Sequence, residues 1–147
     1  MRDEGGPHPR VPDETSLRRP LAECAAVKLL ALRGAITVEE NEAGAILSAT
    51  EELMREVMDR NGLAAQDIVS CIFTCTDDLD AEFPAVAARS MGLSAVPLLC
   101  AREIHVPGAL PRVIRLLVHC YADPDGHPRH VYLRGAVSLR RDLEGAQ

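Results

Sequence analysis

The apolar and polar positions along the chain change period several times, and each change marks an element. Residues 27–32 (VKLLAL) form a short apolar run that stops at Arg33-Gly34 and predicts a first strand. After Asn41 the period lengthens. Ile46, Leu47, Leu53, Met54, Val57 and Met58 fall on one helical face, predicting a helix over residues 41–61. Asn41 suits its N-cap and Asn61-Gly62 a left-handed stop. Residues 68–75 (IVSCIFTC) are rich in β-branched and other apolar types and predict a buried strand. Residues 76–83 read as a loop. Pro84 suits the first turn of a short helix that ends at Gly92. Residues 96–101 (VPLLCA) predict a third strand, and Pro107-Gly108 breaks the chain again.

Residues 112–121 (RVIRLLVHCY) fit a helix or a strand by periodicity alone, with β-branched content and Asp123-Pro124 favouring strand. On strand geometry Val113, Arg115, Leu117 and His119 share a face. Arg115 then projects from a mostly apolar surface, which demands an internal carboxylate or a bound anion. A last strand pair is expected from residue 129 to Val137. The order β–α–β–α–β–β–β predicts a compact α/β or α+β domain. So few helices cannot cover both faces of such a sheet, so self-association through it is expected.

The flanks look different. Residues 1–26 are polar and rich in Pro and Gly, and predict a disordered arm ahead of a domain over 27–143, with a flexible tail at 144–147. A translation start near Val27 is an alternative reading of that arm. It has no apolar core of a secretory signal, and no apolar run is long enough for a transmembrane helix.

Composition adds two points. The chain has 147 residues, is 47% hydrophobic and only 3% aromatic, with no Trp, so its core is built from aliphatic side chains. Its net charge of −6 gives no electrostatic footprint for nucleic acid. Of its 16 basic residues only Lys28 is lysine. Abundant Arg can reflect base composition alone, yet a planar fork of donors also suits carboxylates. In an acidic protein such a site works only where Arg is locally concentrated. The five cysteines include no C-x-x-C pair, and four lie in strand-like runs. They read as reduced core thiols of a cytoplasmic protein. His127 and His130 have a ligand-like spacing but sit in a turn without nearby Cys, so no metal site is expected.

Taken singly, the candidate residues have plain alternatives. Arg33 could be a surface residue, Glu103 could pair with Arg102 or Arg112, and Tyr132 could be an ordinary half-buried strand tyrosine. Four separated strings change the balance: LRGAITVEEN at 32–41, DDLDAEFPAVAAR at 77–89, PLLCAREIHVPGALPRVIR at 97–115 and RHVYLRGAVSLRRDL at 129–143. In order and spacing they resemble the AroH-class chorismate mutases over most of residues 27–143. The resemblance implies a mixed α+β sheet with two main helices, assembled as a homotrimeric pseudo-α/β barrel with active sites at the subunit interfaces. It implies rearrangement of chorismate to prephenate, a step towards phenylalanine and tyrosine, without a cofactor. It also implies roles. Arg115 would donate to the breaking ether oxygen and Arg33 to a carboxylate. Glu103 would accept from the ring hydroxyl, and Tyr132 would donate to the side-chain carboxylate. Cys100, Phe83 and Leu139 would be wall residues, and the backbone of Leu99, Cys100, Ala101, Arg102 and Glu103 would line the ligand. Arg89 and Arg140 would be outer arginines that attract the dianion. Departures from the family pattern are Val86 in place of a common Lys, His105 and Pro107 in place of Asp and Thr, and Ile36 in place of Thr. A trimeric imine-hydrolysing protein of the RidA type is the competing reading, disfavoured by the spacing of Glu103 and Tyr132. A catalytically dead interaction module is a third.

Overall fold

The computed structural model of the protein describes residues 26–140. The arm expected over 1–26 lies outside this range apart from Ala26, as do Cys24 and the tail expected at 144–147. Five strands and two helices follow in the order β1 (Lys28–Thr37), α1 (Ala43–Asn61), β2 (Ile68–Cys75), α2 (Pro84–Ala88), β3 (Leu98–Arg102), β4 (Val113–Ala122) and β5 (Val131–Leu133). The sheet order is β3-β2-β4-β1-β5. The central strand β4 runs antiparallel to β1 and β2, while β3 and β5 pair in parallel with β2 and β1 at the two edges. The molecule is thus a mixed-sheet α+β fold, as the element order suggested.

Strand alternation sorts side chains to two faces. Leu32 and Ile36 of β1, Cys71 and Phe73 of β2, and Ile114, Leu116, Val118 and Cys120 of β4 point to the helices. There they meet Ile46, Ala49, Leu53, Met54 and Val57 of α1, together with Ala85 and Ala88 of α2. The helical period therefore buries the stripe the sequence marks. Gly62 stops α1 in the left-handed region (φ 61°), and Leu63 N–H donates back to Met58 O at 2.9 Å. At the other end Glu42, not Asn41, is the N-cap, and it makes no side-chain cap. Asn41 is drawn away to the loop after β2, described below.

Two other boundaries differ from expectation. β1 does not stop at Arg33-Gly34 but continues to Thr37. Gly34 serves close packing: a Cβ there would lie 3.1 Å from Leu53 Cδ1 and 3.2 Å from Leu116 Cγ. The last strand pair to Val137 is replaced by β5 and a 3-10 helix over Arg134–Arg140. Arg134 takes a positive φ of 53°, which ends extended structure. The helix is then tied back to the sheet. Gly135 N–H donates to Thr37 Oγ1 at 2.9 Å, and Arg134 pairs with Glu52 on α1. The short helix after Pro84 also narrows to five residues and passes into a wide π-type turn, Arg89–Leu93, where Gly92 has φ 94°.

Among the described residues the opposite sheet face carries no long helix. The 134–140 segment covers one end, where Ala136 packs with Ala35 and Val113, flanked by Tyr132 and Leu139. Beyond it Leu29, Leu99 and Tyr121 are at least half exposed.

Candidate active site

The strand register lays one row of residues across all five strands: Ala101, Thr74, Arg115, Ala35 and Tyr132. Directly opposed residues share a face, so these side chains leave the sheet on the side away from the helices. The neighbouring row on that face runs Leu99, Ile72, Leu117, Arg33. Arg33, Arg115 and Tyr132, which lie far apart in the chain, thus converge on one surface. Glu103 stands just past the end of β3, two residues beyond Ala101, where its N–H donates to Cys75 O at 2.8 Å.

Arg115 resolves the alternative posed by its position. The carboxylate it demanded is internal: Nη1 lies 3.0 Å from Glu103 Oε2, with the two side chains 29% and 23% exposed. Thr74 Oγ1 donates to the other oxygen, Oε1. One guanidinium group has five N–H donors, so this contact leaves Arg115 with donors to spare. The Arg33 guanidinium has no partner among the described residues. Arg33 and Arg115 both line a cavity of about 220 Å³ that is also lined by Tyr132 and Leu139. The Tyr132 hydroxyl is buried and is the one buried side-chain polar atom without a hydrogen-bond partner among the described residues. Buried hydroxyls are ordinarily satisfied, so this one calls for a ligand or an ordered water.

Arg33 is held from behind. Its backbone N–H donates to His130 Nδ1 at 3.0 Å, just ahead of β5. Burial, and secondarily the Arg33 charge, keep the His130 pKa below the usual 6.5. A neutral imidazole is the form that can accept this bond.

The other expected residues gather elsewhere. Cys100, Ala101, Arg102 and Phe83 line a second cavity of about 320 Å³ between β3, the loop after β2 and the start of α2. Phe83 is 67% exposed at its rim. The loop that carries it is pinned rather than loose. Asn41 Oδ1 accepts from the N–H groups of Asp80 and Ala81, at 3.0 and 3.1 Å, and its Nδ2 donates to Asp80 Oδ1 at 2.7 Å. Asp78 accepts from Arg112 N–H at 2.9 Å, and Thr76 Oγ1 accepts from Val113 N–H at 3.0 Å. Burial, with Cys100 close by, pushes the Cys75 and Cys71 thiols up to about 12, so both stay protonated at neutral pH.

One chain therefore divides the expected site. Arg33, Glu103, Arg115, Tyr132 and Leu139 form a cationic, hydrogen-bonding group. Cys100, Ala101, Arg102 and Phe83 form a more apolar one. Leu99 lies exposed on the outer sheet face, Arg89 is exposed at the end of α2, and Arg140 is the last described residue. Reading the sequence missed Thr74, His130 and the clamp made by Asn41. For Thr74 a signal existed: Ser70 and Thr74, four apart, put two hydroxyls on one face of an otherwise apolar strand.

The family model described as chorismate mutase type I matches residues 29–143. The chorismate mutase AroH of Thermus thermophilus is 53% identical over 118 residues, covering 79% of this chain and 97% of that protein. The chorismate mutase AroH of Bacillus subtilis (strain 168) is 39% identical over 114 residues, covering 76% and 90%. Among solved structures, a chorismate mutase from Clostridium thermocellum superposes with a TM-score of 0.71 at 47% identity, over 75% of this chain and 99% of that one. The chain belongs to the chorismate mutase type I family.

Proposed function

We propose that the protein is an isomerase that rearranges chorismate to prephenate, in the route to phenylalanine and tyrosine, at sites shared between the subunits of a homotrimer. The observation that carries the reading is the cavity lined by Arg33, Arg115 and Tyr132, whose buried hydroxyl has no hydrogen-bond partner among the described residues. Chorismate offers what such a cavity lacks. It carries two carboxylates, a ring hydroxyl and an ether oxygen that gains negative charge as its C–O bond breaks. Arg33 and Tyr132 hold carboxylates, which selects the folded shape in which the new C–C bond can form. Arg115, steadied by Glu103, presents its remaining donors to the ether oxygen. A fixed cation there is worth more in the transition state than in the ground state. Glu103 also accepts from the ring hydroxyl.

The trimer follows from incompleteness. Phe83, Cys100, Ala101 and Arg102 border a cavity of their own on this chain, and an uncovered sheet face with Leu29, Leu99 and Tyr121 suits burial against another copy. Assembly would bring the apolar group of one subunit to the cationic group of the next, with Leu99 and Leu139 as walls and Arg89 and Arg140 at the entrance. The described cysteines are free thiols, which supports a cytoplasmic location. Among the described residues no helix is long and apolar enough to cross a membrane. Nothing in the geometry favours the imine-hydrolysing alternative.

Loss of chorismate absorbance tests the reading. Purified protein should convert chorismate to prephenate with no added metal and equally in EDTA. Arg115→Ala should cost about 3 kcal/mol or more in transition-state stabilisation, the scale of losing one oriented donor to a developing oxyanion. Arg115→Lys should recover little, because a point charge does not reproduce the fork. No protein-dependent loss of chorismate, or near-normal kcat in Arg115→Ala, overturns it.

A further inference from the structure

We propose that Thr74 is a positioning residue for this reaction, and that it acts by orienting the Glu103 carboxylate against a two-pronged fork with Arg115; the proposal rests on the mutase reading above. Thr74 lies in β2, in the same row as Arg115 of β4 and Ala101 of β3. Its hydroxyl donates to Glu103 Oε1, while Arg115 Nη1 holds Oε2 at 3.0 Å. The Glu103 backbone is fixed as well, by its N–H bond to Cys75 O. Each carboxylate oxygen therefore has its own donor, from a different strand.

The consequence concerns competition for the guanidinium. Arginine and a carboxylate left to themselves tend towards a bidentate fork with two parallel N–H···O bonds. In that geometry a second face of donors on Arg115 would be spent on Glu103. The Thr74 hydroxyl, from a different strand, holds Oε1 and orients the carboxylate against such a fork, while its remaining lone pairs stay open to other donors. Arg115 keeps donors directed at the cavity of about 220 Å³, where the ether oxygen would sit. A group that acts this way influences mainly the transition state, because there the ether oxygen carries its greatest charge. Its loss should appear in kcat more than in KM. Thr74 itself need not touch the substrate.

Steady-state kinetics on the full chain test this, with wild type alongside. Thr74→Val, which removes the hydroxyl at nearly constant shape, should lower kcat about tenfold to a hundredfold, the scale of a lost hydrogen bond to a charged group. KM should move much less. Thr74→Ser should restore most of kcat, since it restores the donor. In a Glu103→Gln background the further loss from Thr74→Val should nearly vanish, because an amide cannot form the bidentate pair. Thr74→Ala serves as the readout if the valine variant does not fold. Unchanged kcat in Thr74→Val or Thr74→Ala, no rescue by Ser, or independent, multiplicative effects of Thr74 and Glu103 would each overturn the proposal while leaving the mutase reading intact. An inactive wild type overturns that reading, and this proposal with it.

Discussion

At the scale of single residues, two of the candidate site residues are backed by further polar groups. Arg115 leans on Glu103 and Glu103 on Thr74. Arg33 is anchored through its main chain to His130. This last contact has a pH consequence. The folded-state pKa of His130 lies below its unfolded value of 6.5, because burial and the Arg33 charge disfavour the imidazolium. The unfolded chain therefore binds the extra proton more readily. The stabilisation is complete above the unfolded value and is lost as the pH falls through the lowered one. The melting temperature should accordingly drop between about pH 7.5 and about pH 5. His130→Asn keeps an acceptor for Arg33 N–H but does not titrate, so its melting temperature should fall less over that interval. Parallel pH dependence in the two proteins would remove His130 as a cause.

At the scale of elements, the site depends on where strands end and how closely they pack. β1 reaches Thr37 because Gly34 lets Leu53 of α1 and Leu116 of β4 come up to its backbone. Without that passage Arg33 would be a terminal surface residue rather than part of a row. Gly34→Val should destabilise the fold by about 1–3 kcal/mol, the usual cost of forcing extra methyl groups into a packed interior. A shift of the urea midpoint to lower concentration checks this, and a valine variant as stable as wild type would contradict the packing argument. The loop between β2 and α2 shows the converse. Its sequence, TDDLDAEF, reads as irregular, and it is irregular, but Asn41 and Asp78 bind it at both ends. The Phe83 rim of the second cavity is thereby set by the Asn41 side chain at α1's entry and by the Arg112 N–H at β4's start.

At the scale of the whole molecule, the described residues leave two cavities and one sheet face open, which the proposed trimer would close. The chain has a mass of 15.9 kDa. Light scattering should give about three times that value for active protein, because the proposed ring of three would pair each cationic group with a neighbour's apolar group. A fully active monomer would end the shared-site proposal. Arg89 and Arg140 belong to this scale too, because in the proposed trimer what they enclose would depend on the neighbouring subunit.

The local sequence by itself determined the elements and much of the chemistry. The period of Ile46 to Val57 and the left-handed Gly62 are properties of a few adjacent residues, and they held without reference to the rest of the chain. Arg115 on an apolar strand was legible, for the same reason, as a cation in need of an internal carboxylate or a bound anion. The four motifs carried the family and, with it, the expected roles of Arg33, Glu103 and Tyr132. The tertiary structure alone decided which groups meet. Asn41 looked like a helix cap because nothing nearby in the chain shows that residues 80 and 81 offer it unpaired N–H groups. Residues 134–137 looked like strand because their apolar pattern does not reveal the positive φ at Arg134 or the tie from Gly135 to Thr37. Thr74 looked like strand filler because its partner is 29 residues away, and only the register of β2 with β3 and β4 brings them together. Periodicity is a short-range signal, whereas register and close approach are set by long-range packing.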